Sequence, residues 1–511
     1  MKKLKKVVTC LSILTMVTTL AAGCSKKNDV SSKSAKSALD TSKRVQLNMY
    51  LMGDEPKDNA KIVSALNKLT KKDLNATVKI TYSTWTDFST KYNLMLTSGE
   101  NMDLVYGANW LTYATYAKKG AFTDLTDMIS KYAPELSKEI PKERWEGTKV
   151  NDKLYAVPNQ NPEFTQGAFV YREDLREKYN LPKINSVDSI EAYFDGIKKN
   201  NHDIMLTNDS GSCAYNNLFM FTTKYEIVDK GDEATSNLVI DPKNPKKVLA
   251  TIELPEYKAF VEKMKNWADK GFWSKSALSS NEDGIVSFEN GKAAASFNST
   301  LAKAKGTVEK LAKSNPDWKV GVFEYNRLMN KVHSAAVTQN LTVIPKVSNN
   351  PERALALIQK LQTDRRYYDI IQYGIKGLTY NLTQDGKLDY SKINTTKHSA
   401  PSGWAFRNAK LDRANVSDWS EWKQRNDEDK KLATPDILDA FTLDTDPVQN
   451  EYAAITQVTN QYGKPLNAGL VKDADAAYAS LLNQAKAAGL EKYRTEVEKQ
   501  VDEYLKEKGI K

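Results

Sequence analysis

The residues of this 511-residue chain that are best able to do chemistry do not form a known catalytic pattern. The sequence has no Walker-type phosphate loop, no G-x-S-x-G turn, no H-E-x-x-H and no C-x-x-C. Its three histidines, His202, His333 and His398, lie far apart without the spacing of metal ligands. Asp444 and Asp446 are spaced as in part of a calcium loop that lacks its glycine and terminal glutamate. No cofactor or metal is therefore expected. With 64 acidic residues, the sequence does not exclude a pair of carboxylates that hydrolyses glycosides.

The N-terminal residues carry an export signal. Lysines at positions 2, 3, 5 and 6 precede a mostly apolar run over residues 7–20. That run is shorter than the about 20 residues that a membrane-spanning helix needs. Residues 20–24 (LAAGC) resemble the bacterial lipobox, which implies cleavage before Cys24 and attachment of diacylglycerol to its thiol. The alternative is an ordinary secretory signal cut near Ala22, and both place the mature chain outside the cytoplasm.

Composition limits the partners of the exported chain. The net charge of +10 is spread over 74 basic and 64 acidic residues without a clustered basic stripe, so no nucleic-acid partner is expected. Cys10 leaves with the signal and Cys24 would be acylated, so Cys213 has no partner for a disulfide within the mature chain. Residues 24–44 are rich in serine and lysine and are predicted to form a flexible tether.

The folded part is predicted to begin with an α/β unit. Residues 45–50, 78–82 and 103–106 read as strands, and two amphipathic helical stretches separate them. Asp58 is expected to cap the first helix. Strand, helix, strand, helix and strand in succession predict a parallel sheet.

The rest of the chain shows a crossover and a helical end. Residues 153–158 read as a strand that ends in the polar run 159–162, where two prolines bracket three amides. Such a run is typical of a connection between lobes. The last hundred residues are mostly helical in pattern, with Gly489 between two helices.

Three stretches resemble the extracellular solute-binding proteins of ABC importers, in the large family 1 sugar-binding group. They are residues 98–106 with 120–125, residues 151–158 with 171–175, and residues 288–295. The resemblance implies an α/β, two-lobed periplasmic-binding-protein type II fold with parallel-rich sheets, flanking helices and a helical C-terminal part. It also implies a monomer without enzymatic activity that captures an oligosaccharide between its lobes. The partners would be the permease subunits of an ABC transporter and the membrane that holds the lipid anchor.

The C-terminal part is similar to the LplA-like lipoproteins that carry the domain of unknown function DUF3502. Residues 373–377, 441–448 and 451–458 carry this similarity. The resulting division is a signal peptide over 1–23, a tether over 24–44, lobe I over 45–158, lobe II over 159–324, a return to lobe I over 325–370, and a lobe II return with the DUF3502-like region over 371–511.

The first expected ligand contacts follow from sheet position. Ligands in open α/β sheets bind at the carboxyl ends of strands. The loop after strand 103–106 should therefore face the cleft with Gly107, Asn109 and Trp110, and Trp85 follows the preceding strand in the same way. Asn109 would bond hydroxyl groups and Trp110 would stack on a sugar face. Filling a hydrophobic core is the alternative role for both tryptophans.

Further candidates follow from the resemblance. Gln160 and Asn161 lie near the place where the family has a ligand-binding acidic residue, and Glu163 is the nearest acid. Bonding the hinge backbone is the alternative role for the two amides. Asn298 matches the polar position that opens the cleft edge of the second lobe, and Trp404 is a loop aromatic that could stack on a ligand.

Two other tryptophans, Trp419 and Trp422, lie in a charged helical run and are expected to pack structurally. Two other functions stay open for the chain. One is a surface glycoside-active enzyme, which needs a close pair of carboxylates in the cleft. The other is a lipoprotein that binds a non-sugar solute such as a peptide or a phosphorylated compound.

Overall fold

The architecture is known from a computed structural model that describes residues 39–84, 87–165, 167–209, 214–229, 238–279 and 283–510. The predicted signal peptide, Cys24 and most of the predicted tether lie outside these residues. Within the described part, no helix combines the length and the apolar character needed to cross a bilayer.

The described residues form 18 strands and 19 α-helices. In chain order, the strands are β1 Val45–Met52, β2 Ala76–Ser83, β3 Leu104–Gly107, β4 Lys149–Val150, β5 Lys153–Leu154, β6 Ala156–Pro158, β7 Phe164–Thr165, β8 Gly167–Arg172, β9 Glu226–Ile227, β10 Leu238–Asp241, β11 Asn244–Ala250, β12 Ala295–Thr300, β13 Val320–Glu324, β14 Val332–Ser334, β15 Leu341–Val343, β16 Asn381–Leu382, β17 Leu388–Asp389 and β18 Ala433–Pro435. The helices are α1 Asn59–Leu74, α2 Phe88–Thr97, α3 Tyr113–Lys118, α4 Ile129–Tyr132, α5 Pro134–Glu139, α6 Lys142–Gly147, α7 Glu173–Lys178, α8 Val187–Asn200, α9 Met220–Thr222, α10 Pro255–Asp269, α11 Gly284–Glu289, α12 Leu301–Ser314, α13 Pro351–Thr363, α14 Arg365–Tyr373, α15 Trp422–Leu432, α16 Gln449–Val458, α17 Lys464–Asn467, α18 Ala474–Ala487 and α19 Leu490–Glu507.

The first lobe contains a five-stranded sheet in the order β2-β1-β3-β15-β6. Strand β1 pairs in parallel with β2 and β3, and helices α1 and α2 make the crossovers that parallel neighbours require. The predicted succession of strands and helices is therefore confirmed. Most of β1 is buried, as expected for a parallel strand that is covered on both faces.

Asp58 precedes α1 but does not cap it as predicted. The side chain makes no capping hydrogen bond, and its Oδ2 lies 2.9 Å from Nδ1 of His398 instead. The prediction is wrong because a residue 340 positions away competes for the carboxylate, and local spacing does not reveal such a partner.

The second lobe is built on the antiparallel sheet β12-β8-β13. Side chains alternate along β8, so Phe169 and Tyr171 belong to one hydrophobic cluster while Ala168 and Val170 belong to another. Both faces of this sheet are therefore buried. The two-lobed α/β fold is confirmed, but its sheets are mixed rather than parallel-rich, because strands that return between the lobes pair antiparallel with their neighbours.

The C-terminal helices belong to the second core, as Leu481, Tyr493, Val497 and Val501 are buried in it. Gly489 separates α18 from α19 at φ +93°, a backbone conformation that glycine adopts without strain. The predicted break between two helices at this glycine is confirmed.

Three segments connect the two cores. The first runs from β6 to β8 through β7, and the second runs from β13 to β15 through β14. The third leads from Phe406 in the first core through β18 to Leu438 in the second. Strands β18, β14 and β7 pair side by side, and we call them the interlobe sheet.

The third connection changes the predicted division of the chain. The sequence pattern assigns residues 371–511 to the second lobe, yet Ala405 and Phe406 are buried in the first core. The Asn408 side chain also donates a 2.8 Å hydrogen bond to the backbone oxygen of Gln362 at the end of α13. Burial of these residues, which are far from the first lobe in sequence, keeps this segment with the first lobe.

Candidate ligand-binding cavity between the lobes

A cavity of about 700 Å³ lies where the two lobes and their connections meet. Five aromatic side chains from distant parts of the sequence line it: Tyr106, Trp110, Phe164, Trp404 and Trp422. Its polar lining includes Asn161, Glu163, Asn340, Arg407, Asp412 and Lys430. A cavity of this size that mixes aromatic rings with a few polar groups is typical of a small-molecule site.

The loop after β3 brings one predicted contact into the cavity. Trp110 lines it with 49% of its surface exposed, and its ring centroid lies 5.9 Å from that of Tyr106. The side-chain oxygen of Asn109 accepts a 2.9 Å hydrogen bond from the backbone N–H of Trp110, so Asn109 holds the turn. Gly107 is buried in the sheet, where a Cβ would lie 3.0 Å from Val343. Asn109 and Gly107 therefore shape the loop that presents Trp110.

Glu163 is the acidic group at the connection between the lobes. Its Oε2 accepts a 2.8 Å hydrogen bond from the amide of Asn340, and its Oε1 lies 3.6 Å from Nη1 of Arg407. Burial raises the pKa of Glu163, and the positive charge of Arg407 opposes this rise. The site thus contains a carboxyl group that is shielded from water and can accept hydrogen bonds from hydroxyl groups.

Arg407 faces a second acid across the cavity wall. Its Nη2 lies 3.6 Å from Oδ2 of Asp412, while its Nη1 faces Glu163. One guanidinium group therefore faces two carboxylates, which largely offset its charge.

A hydrogen-bond chain connects the cavity wall to Glu163. The hydroxyl of Tyr106 donates to the side-chain oxygen of Asn340 at 2.5 Å, and the amide of Asn340 donates to Glu163. Burial and the nearby charge of Glu163 raise the pKa of Tyr106 far above its usual value. Tyr106 therefore remains a neutral donor that orients the amide.

Two more tryptophans line the cavity. Trp404 begins a short 3₁₀ helix and is 38% exposed, so its predicted loop position does bring it to the cavity. Trp422 begins α15 and packs against a hydrophobic cluster of the second lobe as expected, and it also lines the cavity. Asn426 and Lys430 follow at intervals of four residues, so one face of α15 points into the cavity.

The two amides of the first connection have different surroundings. Asn161 lines the cavity. Gln160 is not among the lining residues, because its backbone N–H donates to the backbone oxygen of Arg407 at 2.7 Å and its side chain donates to Gln362 at 3.4 Å. The Gln160 amide thus bonds a side chain at the end of α13 and not the hinge backbone.

The two remaining candidates are not brought to this cavity. The Asn298 amide donates a 3.0 Å hydrogen bond to Asp283, and Asn298 does not line the cavity. Trp85 lies outside the described residues.

Several lining residues could not be predicted from the sequence because their neighbours in the cavity lie far away along the chain. Tyr106 lies on the predicted strand, but its neighbour Asn340 is more than 230 positions away. Arg407, Asp412 and Trp422 lie in a segment that the sequence pattern assigns to the second lobe. The repeated spacing of Trp422, Asn426 and Lys430 is the one local signal that could have indicated a shared helix face.

Two family patterns match the sequence. The pattern of the bacterial extracellular solute-binding protein matches residues 62–381, which is more than half of the chain. The pattern of DUF3502, a domain of unknown function, matches residues 437–506, which include α16 to α18 and all but the last residue of α19.

Similar proteins span nearly the whole chain. A carbohydrate ABC transporter substrate-binding protein from Streptococcus pneumoniae serotype 4 is 26% identical over 96% of this chain and 97% of its own length. The N-glycan transport solute binding protein NgtS of S. pneumoniae has a similar fold, with a TM-score of 0.75, 22% identity, and coverage of 91% of this chain and 99% of its own. The same protein in complex with Man1GlcNAc gives a TM-score of 0.67 at 22% identity, covering 90% of this chain and all of its own.

Proposed function

We propose that this chain, which belongs to the bacterial extracellular solute-binding protein family, captures an oligosaccharide between its lobes and delivers it to an ABC transporter. The observation that carries the proposal is the cavity with its five aromatic side chains and its hydrogen-bonding groups. The carbohydrate relatives favour the same class of ligand.

The lining fits the two surfaces of a sugar. Sugar C–H faces pack on aromatic rings, which Trp110, Trp404 and Trp422 supply. Sugar hydroxyl groups both donate and accept hydrogen bonds, and Glu163 and Asn161 provide partners for them. A phosphorylated ligand is less favoured because Arg407 already faces two carboxylates.

Capture would use closure of the lobes. A ligand that contacts both lobes only in the closed form shifts the equilibrium toward that form. The interlobe sheet is the element that bends, because each of its strands belongs to a different connection. The permease subunits of the importer would then distinguish the closed form from the open one.

A thermal-shift screen tests the choice of ligand. The chain is heated with a panel of oligosaccharides, a panel of peptides and a panel of sugar phosphates. A ligand at about 100 times its Kd adds about 2.7 kcal/mol to the free energy of unfolding, so the binding class raises the Tm. We expect the rise with oligosaccharides. A rise with peptides or phosphates alone would overturn the sugar assignment.

The proposal includes a lipid anchor at Cys24 on the outer face of the cell membrane, with the exported chain acting as a monomer. A diacylglycerol anchor has more than one acyl chain, and stable attachment needs more than a single chain. Growth with labelled palmitate should label the wild-type chain but not Cys24→Ala, which should leave the cell. Labelling of the variant, or no labelling of the wild type, would refute the anchor.

The proposed role is not enzymatic. Glu163 and Asp412 both line the cavity, but each also lies 3.6 Å from a guanidinium nitrogen of Arg407. A glycoside hydrolase would need these carboxyl groups free for proton transfer. An oligosaccharide that raises the Tm should be recovered intact after long incubation. Its cleavage, abolished by Glu163→Gln, would establish the enzyme instead.

A further inference from the structure

A cluster of possible metal ligands lies beside the interlobe sheet, apart from the ligand cavity. Glu226, His333 and Asp436 each offer one ligand atom, and these atoms all lie within 4.8 Å of one another. They form the one such group found in the part of the chain that the structure describes. None of the three lines the cavity.

Three different segments supply these residues. Glu226 lies on β9 of the second lobe, His333 lies on β14 of the second connection, and Asp436 follows β18 of the third. Strands β14 and β18 pair in parallel, with His333 opposite Thr434. This pairing places the imidazole beside the carboxylate of Asp436 two residues further on.

The three side chains of the cluster already have partners, and one of these partners is an ammonium group that a metal ion could replace. Nδ1 of His333 bonds Oδ1 of Asp436. Glu226 accepts a 2.8 Å hydrogen bond from the backbone N–H of Ile437 through Oε2, and its Oε1 pairs with Nζ of Lys331 at 3.0 Å. The ammonium group of Lys331 thus offsets the charge of Glu226.

Burial differs across the cluster in a way that suits a metal. Glu226 is 3% exposed, so its carboxylate is held in place. The side chains of His333 and Asp436 are 21% and 20% exposed, and that of Lys331 is 30% exposed. Solvent can therefore reach the cluster, and Lys331 can move out into water.

We propose that Glu226, His333 and Asp436 bind a divalent transition metal of the zinc type, which displaces the ammonium group of Lys331. One imidazole and two carboxylates are ligands that Zn²⁺ accepts, and three protein ligands leave its fourth position for water. The backbone N–H of Ile437 would keep Glu226 oriented as an outer-shell partner. The site does not depend on the ligand that the cavity binds.

Calorimetry tests this site: the purified chain is treated with a chelator, and zinc chloride is then titrated into it. We expect one Zn²⁺ per chain. His333→Ala should weaken binding by more than about 100-fold, because even outer-shell partners contribute 10- to 100-fold. Asp436→Asn gives a second, less disruptive variant. Lys331→Met should tighten binding severalfold, since it removes the competing ammonium group.

His398→Ala is the matched control. His398 also bonds an aspartate, with 2.9 Å between its Nδ1 and Oδ2 of Asp58, but this pair belongs to no group of three ligands among the described residues. The control should bind Zn²⁺ as the wild type does. Absence of zinc binding would overturn the proposal, as would binding that survives in both cluster variants or that is lost in His398→Ala. In those cases the cluster is only an ion-pair network.

Discussion

At the scale of single residues, Glu163 joins the three connections between the lobes at the cavity. It accepts a hydrogen bond from Asn340 of the second connection and faces Arg407 of the third. Water is largely kept from its carboxyl group, and this is why its pKa lies above the ordinary value for glutamate.

The raised pKa of Glu163 makes a prediction about pH. As pH rises above about 4, the carboxyl group of Glu163 loses its proton in the unfolded chain before it does so in the folded chain, because the pKa of the group is lower in the unfolded chain. Wild-type stability therefore declines as pH rises through the folded pKa, and Glu163→Gln lacks this decline. Urea unfolding at several pH values should show the variant gaining on the wild type toward neutral pH. The prediction would be contradicted if the free energy of unfolding of Glu163→Gln, relative to that of the wild type, stayed constant or fell toward neutral pH.

Trp110 is the predicted stacking residue with the largest exposed fraction in the cavity. Trp110→Ala should weaken oligosaccharide binding by at least about 2 kcal/mol, roughly 30-fold in Kd, because buried aromatic contacts dominate many interfaces. Calorimetry with the oligosaccharide found in the thermal-shift screen measures this loss. Trp318→Ala is the control, since Trp318 packs against Arg172 away from the cavity. Unchanged affinity in Trp110→Ala would remove Trp110 from the site.

At the scale of elements, α15 has two functional faces. Trp422, Asn426 and Lys430 face the cavity. Arg425 and Asp429 instead form ion pairs with the second lobe: Arg425 lies 2.7 Å from Glu324, and Asp429 lies 2.8 Å from Arg327. The carboxylates of Glu324 and Asp429 are fully buried, so removal of either partner of a pair would leave an uncompensated buried charge between the helix and the lobe.

This attachment predicts an effect on binding from a residue that does not touch the ligand. Asp429→Asn removes one charge of a buried pair and should lower the free energy of unfolding by about 3 kcal/mol. It should also weaken oligosaccharide binding, because the cavity face of α15 loses its support.

The control for this variant lies on the same helix. Lys423 pairs with Asp427 at the surface, where its side chain is 88% exposed, and exposed pairs contribute little. Lys423→Ala should therefore leave both stability and affinity unchanged. Calorimetry measures the affinity of both variants, and urea unfolding measures their stability. If Asp429→Asn bound the oligosaccharide as tightly as the wild type does, the cavity face of α15 would not need the buried pair.

At the scale of the whole molecule, the two lobes have separate hydrophobic cores, and three connections join them. The cavity is lined by both lobes and by the connections, so its shape depends on how far the lobes are closed. Ligand capture and closure are then one equilibrium.

Closure predicts a change in size that scattering can measure. Saturation with the oligosaccharide should decrease the radius of gyration in small-angle X-ray scattering, because the lobes approach each other. Trp110→Ala at the same ligand concentration should keep the radius of the free protein. Calorimetry confirms that the wild-type chain is saturated. If its radius of gyration then did not change, capture by closure would be contradicted.

Local patterns in the sequence determined much of the fold. The strands and helices from β1 to β3 could be predicted because apolar periodicity is a property of neighbouring residues. The break at Gly489 could be predicted for the same reason. Family resemblance added the two lobes, and the position of Trp110 after a strand indicated the cavity.

Only the tertiary structure decided which distant residues share the cavity. Glu163, Asn340 and Arg407 meet although more than 240 positions separate the first from the last. Trp422 lines the cavity as well as packing, because α15 is oriented by ion pairs to residues about a hundred positions earlier. Spacing along a chain predicts the face of a helix, but what that face meets depends on packing between segments that the sequence does not place side by side.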